Sequence, residues 1–125
     1  MSAFNHLRAI PPRQIWEAIA ARWVAGERLM LAVVELEPGA VAREHSHDNE
    51  QLGLVLQGTM EFRIGDEQRE LHAGATYVIP SNTRHEATAG PDGAVVVDVF
   101  APVRSDWEAL AEDEVRPSLW PRPDA

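Results

Sequence analysis

The chain has 125 residues, 45% of them hydrophobic, and a formal net charge of −9. That length and apolar content suit one folded domain with a genuine core. The negative charge argues against nucleic acid and anionic lipid as partners. With no cysteine, disulfides and thiolate chemistry are excluded. No run approaches the ~18 apolar residues that a membrane helix requires. The N-terminus lacks the apolar core of a secretory signal, so a cytoplasmic location is the expectation.

In chain order, residues 1–13 end in Pro11-Pro12 and read as an extended lead-in. Gln14 to Trp23 fits a short helix by propensity or a strand by its Ile, Trp and Val content. Ala25-Gly26-Glu27 is a turn. Leu29 to Leu36 is apolar at both parities, which predicts a strand covered on both faces, with a second subunit as one cover. Leu52 to Leu56 is another apolar strand. Gln57-Gly58 reads as a tight connection into Thr59 to Ile64, where Met60, Phe62 and Ile64 alternate with Glu61 and Arg63.

Gly65-Asp66 signals a hairpin, and Glu67 to Leu71 returns as an outer strand. Ala75 to Ile79 and His85 to Ala89 follow as strands. Gly90-Pro91-Asp92-Gly93 reads as a turn, and Ala94 to Phe100 as an apolar strand. Ser105 to Glu112, with its Ser-Asp start and Trp107, Leu110 and Ala111 at helical spacing, predicts a short capped C-terminal helix. Residues 116–125 hold three prolines and Trp120, an extended tail. Seven to ten short strands at roughly 8–12-residue intervals predict an all-β sandwich or barrel.

The chemistry-bearing residues begin with His45 and His47. Two apart, they leave the same face of an extended strand, and Gln51 has the same parity. Spacing alone leaves two readings open, a metal site or a polar strand edge with solvated histidines. Asp98 is the one charge in the apolar run Ala94 to Phe100. Pointed inward it would be a general acid or base, with Phe100 beside it and Arg104 beyond to clamp a carboxylate. By themselves these residues fit an edge carboxylate and a solvated arginine more simply. Trp16, Trp23, Trp107 and Trp120 read as core or subunit anchors, and Arg22 and Arg43 as surface charges.

Two motifs decide between these readings. Gly39, five residues, His45-x-His47, three residues, Gln51, six residues and Gly58 resembles the first motif of the cupins. Gly74, five residues, Pro80-x-Asn82-x-x-His85 resembles the second, with Asn82 where the family more often has glycine. The 15 residues 59–73 join them. The resemblance implies a double-stranded β-helix (jelly-roll) barrel. Residues 1–125 would form a single cupin domain, its barrel core at about 27–102 between extended N- and C-terminal arms.

It also implies metal ligands at His45, His47, Gln51 and His85, for one divalent ion of Zn, Ni, Fe, Mn or Cu. Many members have glutamate at position 51. A neutral amide leaves the ion its full charge, which favours Lewis-acid over redox chemistry.

The blocks His45 to Gln51 and Asp98 to Arg104 are similar to those of the small cupins of pectin and alginate degradation. Those proteins convert 4,5-unsaturated monouronates to open-chain keto-uronates. The similarity implies an enzyme in which Asp98 moves the proton, Phe100 lines the pocket and Arg104 holds the sugar carboxylate. A quercetinase-like metal-dependent dioxygenase and a non-enzymatic small-molecule-binding cupin are the alternatives. A homodimer is expected, to cover the apolar strand at 29–36.

Overall fold

The computed structural model describes residues 2–122; Met1 and the final three residues of the predicted C-terminal tail lie outside the described residues. The strands are β1 (Arg13–Trp16), β2 (Ile19–Ala25), β3 (Met30–Leu36), β4 (Val41–His45), β5 (Glu50–Ile64), β6 (Glu67–Leu71), β7 (Thr76–Ile79) and β8 (His85–Ala101). The Gln14–Trp23 ambiguity resolves to strand: its β-branched and aromatic residues pair β1 with β2.

Strands β5 and β8 run antiparallel along nearly their whole length. The first half of β5 and the second half of β8 continue a sheet with β1, β2 and β3 on one side and β7 on the other. The remaining halves carry β6 and β4. Each long strand thus serves both parts of a double-stranded β-helix, the all-β jelly roll expected from sequence. The core lies between them and is built from Ala21, Met30, Val34, Val55, Met60, Phe62, Ile79, Val96 and Phe100, among others.

Two expected breaks are absent. Gln57-Gly58 and Gly90 to Gly93 lie inside continuous strands, not in turns. Their glycines bend the strands instead. Pairing slips between Val55 and Gln57 and again between Gly58 and Met60, a bulge geometry. Gly58 has φ +80°, and a Cβ there would sit 2.1 Å from the Gly93 carbonyl oxygen. The bend is a close backbone approach that admits no side chain. The predicted C-terminal helix is reduced to a 3-10 turn, Ser105–Ala109. Arg104 occupies its N-cap position and no side chain caps it, so Ser105 does not perform the role its sequence position suggested.

A second correction concerns the cover of β3. Arg22, expected at the surface, is 1% exposed, and its Nη1 donates to Glu35 at 2.8 Å. Both terminal arms close over this pair. Arg22 also donates to the carbonyls of Ile10 and Arg116, and the Leu119 amide donates to Glu35. This part of the outer face is covered by the chain's own arms instead of a second subunit. Among the described residues no helix is long and apolar enough to cross a membrane.

Removing one member of a buried, hydrogen-bonded ion pair strands the other. Arg22→Ala is therefore expected to lower unfolding free energy by about 3–5 kcal/mol in urea titration, and to expose both arms to limited proteolysis. An unchanged midpoint with protected arms would show that the pair does not hold them.

Candidate metal centre

Strand β4 ends at His45, and His85 opens β8 as its direct cross-strand partner. Their ring centroids lie 4.2 Å apart. His47 is not on the same strand, as simple alternation required. It lies in the connection between β4 and β5, whose backbone is fixed by the loop before β8: the Asn82 amide donates to the His47 carbonyl at 2.7 Å, and the Ser81 hydroxyl to the Asp48 carbonyl at 2.6 Å. Asn82 has φ +62°. Asparagine is among the few non-glycine residues that accept this backbone region, which accounts for its standing where glycine is the commoner choice.

Ligand atoms of His45, His47 and His85 lie within 4.8 Å of one another. Each ring has a carbonyl oxygen next to its Nδ1: Arg43 at 2.6 Å for His45, Asn49 at 3.0 Å for His47 and Thr83 at 2.8 Å for His85. A carbonyl only accepts, so Nδ1 carries the hydrogen in all three rings and every Nε2 presents a lone pair. This is the backbone support that metal-binding imidazoles use. Burial lowers the proton affinity of His45 and His47, with the Arg104 charge adding to it, and pushes His85 down to about 4. Neutral imidazoles are the ligating form.

Gln51, buried on β5, adds the fourth group. Its Oε1 lies 3.1 Å from His47 Nε2, and its amide faces the Asp98 carboxyl closely enough to help hold it down. An ionised Asp98 only accepts, so the Gln51 NH2 must face it and the amide oxygen must face His47. Two lone pairs then oppose each other at hydrogen-bond distance with no proton between them. A cation satisfies both, so the donor set fits a metal ion. Glu50, one residue earlier, is exposed.

Asp98 is buried in the cavity and not at a sheet edge. Burial raises its carboxyl to about 6, against the opposing effects of hydrogen bonds from Tyr77 and Gln51 and of the Arg104 charge. Arg104 is likewise buried; its guanidinium stacks 4.6 Å from the Trp107 ring and 5.1 Å from Phe100. It already holds a carboxylate. Asp106 accepts from its Nε at 3.0 Å and its Nη2 at 2.8 Å, and this pairing lowers the Asp106 carboxyl. Phe100 is 1% exposed and meets the His47 ring edge-on at 5.9 Å.

Sequence reasoning missed four participants. Tyr77 donates to Asp98 at 2.6 Å. The Asn49 side chain donates to the Pro102 carbonyl at 2.7 Å and joins the histidine loop to the segment bearing Arg104. Trp16, expected only as an anchor, lines the cavity with its ring 5.2 Å from that of His45, and Trp107 lines it too. A glycine inside an apolar strand, Gly53, was the available signal for Tyr77, because such glycines mark close approach.

Comparison with known proteins agrees with this geometry. A family model described as "Cupin domain" matches residues 32–100. The pectin degradation protein KdgF of Dickeya dadantii is 34% identical over 80 residues, covering 63% of this chain and 73% of that protein. The structure of KdgF from Halomonas sp. superposes with a TM-score of 0.78 at 30% identity, covering 85% of this chain and 98% of that one. The dimethylsulfoniopropionate lyase DddW of Ruegeria pomeroyi is 32% identical over 65 residues, 52% of this chain and 43% of that protein.

Two measurements check the electrostatics. Metal-free protein should take up one Zn2+ per chain by calorimetry, and His85→Ala should weaken uptake at least ~100-fold, with equal binding counting against the site. Asp98 holds its proton to higher pH when folded than when unfolded, so stability falls as pH rises from about 4 to about 6. The full cost stands above that window. Asp98→Asn should therefore stabilise the metal-free protein at pH 8 by about 1–3 kcal/mol.

Proposed function

The chain belongs to the cupin family, and on that premise we propose that it is a metal-dependent enzyme converting 4,5-unsaturated monouronates to open-chain keto-uronates. His45, His47, Gln51 and His85 hold one divalent transition ion, Asp98 moves the proton and Arg104 holds the sugar carboxylate. One observation carries this reading. One cavity is lined by Gln51, Asp98, Phe100 and Arg104 together with His45 and His85, so a proton carrier and a carboxylate clamp share one space with the metal-fitting cluster. The kinship with two KdgF proteins, one of them named for pectin degradation, supports the substrate class.

The conversion is an isomerisation. The C1 hydroxyl of the sugar loses a proton, the bond from C1 to the ring oxygen breaks, and the resulting enol becomes a ketone at C5 when C4 gains a proton. Nothing is oxidised or reduced, and one group able to take and return a proton suffices. Asp98 fits because burial places its carboxyl at about 6, near the range where a side chain exchanges protons at neutral pH. When bound, the ion supplies Lewis acidity towards the sugar's hydroxyl oxygens. Arg104 is pre-positioned by its two aromatic neighbours. Its Nη1 makes no hydrogen bond among the described residues, and Asp106, 63% exposed in its side chain, is readily displaced by a substrate carboxylate. A quercetinase-like dioxygenase would employ the same imidazoles but gives Asp98 and Arg104 no task.

We further propose that a second copy covers the outer face of the larger sheet. Val24, Leu31, Val99, Leu52 and Val78 form one row across five neighbouring strands, and four of them are between 44% and 57% exposed. An aliphatic row is self-complementary under a two-fold axis. Leu52→Glu should convert a dimer to a monomer in light scattering; a wild-type monomer would refute the pairing.

The activity is tested by following loss of the unsaturated-uronate absorbance, with dimethylsulfoniopropionate as a parallel substrate. Asp98→Ala should lower kcat by about 10²–10⁴-fold, and Arg104→Ala should act mainly on KM. A wild-type rate no faster than buffer, or turnover of the sulfonium compound instead, would overturn the assignment.

A further inference from the structure

Tyr77 is buried, 7% exposed, with a hydroxyl that the chemistry above leaves unassigned. It lies on β7, and in the paired strands Tyr77, Gly53 and Asp98 occupy one row across β7, β5 and β8. The middle position has no side chain. An added Cβ at Gly53 would fall 1.9 Å from Tyr77 Cζ and 2.4 Å from its Oη. The phenol therefore lies across the β5 backbone, over Gly53, and delivers its hydroxyl to Asp98 Oδ1 on the far strand at 2.6 Å. Its ring is braced from behind by Phe62, with centroids 4.7 Å apart.

We propose that Tyr77 is a positioning residue, which fixes the Asp98 carboxylate so that Asp98 holds the Gln51 amide with its oxygen towards the three imidazoles. The inference rests on the reading of that cluster as a metal centre. The order of groups has one consistent direction: Tyr77 Oη–H donates to Asp98, the Gln51 amide faces the same carboxylate, and Gln51 Oε1 is left facing His47. Asparagine and glutamine amides have two chemically different ends of almost equal size, and packing alone does not choose between them. A carboxylate behind the amide does, because it accepts only.

A freely rotating Asp98 would not hold that choice, and the phenol removes the freedom. The same arrangement gives a reason for glutamine in a place where glutamate is common. A second carboxylate at position 51 would meet Asp98 with no hydrogen to share, whereas an amide offers a donor on one side and an oxygen on the other. Gly53 follows as a requirement of the device, since any side chain there expels the phenol.

The test is Zn2+ binding to the metal-free protein by calorimetry, with uronate turnover measured separately. Tyr77→Phe keeps the ring against Phe62 and loses only the hydroxyl. It should weaken Zn2+ binding by about 10–100-fold, the usual effect of losing an outer partner of a metal ligand. In turnover it should lower kcat more than it changes KM, because the phenol acts on the proton carrier Asp98. Because Tyr77 acts through Asp98, its effect on Zn2+ binding should vanish in an Asp98→Asn background.

Gly53→Ala, which displaces the phenol without altering it, should reproduce the Zn2+ defect and provides a second route. Wild-type Zn2+ affinity in Tyr77→Phe, or losses that add fully with Asp98→Asn, would overturn the proposal. A weakened Zn2+ site in a protein that turns over no uronate would uphold the positioning role and end the substrate assignment, so the two fail separately.

Discussion

The pairing of β5 with β8 is the constraint on which the remaining architecture depends. Because the two strands stay hydrogen-bonded through a shared bend, one register fixes positions in both parts of the barrel. At one end it sets Gln51 opposite Phe100 and Gly53 opposite Asp98; at the other it sets Ile64 opposite His85. A slip of one residue would turn every one of these side chains to the other face. The bend makes that register hard to lose, since Gly58 packs on the Gly93 carbonyl with no room for a Cβ. Metal-centre geometry is thus a consequence of strand pairing, with the loops adding His47 and Arg104.

Within that frame the cavity is organised by direction of hydrogen bonding more than by charge pairing. Three imidazoles turn Nδ1 towards backbone carbonyls, one amide turns its NH2 towards a carboxylate, and the remaining lone pairs converge. Burial keeps the imidazoles neutral and raises Asp98, so the same desolvation sets the histidine cluster and the enclosed carboxylate apart. Arg104 adds a fixed positive charge at the rim. Its bidentate partner Asp106 shows, within the chain, the carboxylate geometry that the guanidinium accepts.

The all-β class, most strand positions and the three-histidine cluster were legible in the sequence, because each rests on a local signal: alternation, turn residues or motif spacing. The errors have a common cause. Glycine-bearing stretches were read as breaks at 57–58 and 90–93, yet long strands used them to bend, and only pairing partners distinguish a bulge from a reversal. Arg22 looked like any surface charge, since nothing local reveals that Glu35 is its diagonal neighbour on the adjacent strand or that two distant arms close over both. The capped helix at 105–112 shortened to a single 3-10 turn, its first residues committed instead to holding Arg104.

The sequence by itself determined which residue types were available to hold an ion and to move a proton, and that these belonged to a cupin pattern. It left Asp98 and Arg104 suspended between surface and site, because burial depends on what the rest of the chain places around a strand. Tertiary structure alone decided that Asp98 is enclosed, that Tyr77 reaches it over Gly53, and that Gln51 consequently turns its oxygen inward. Hydrogen-bond direction is a property of three-dimensional neighbours, and Tyr77, Gly53 and Asp98 meet only when three strands from separate parts of the chain lie side by side.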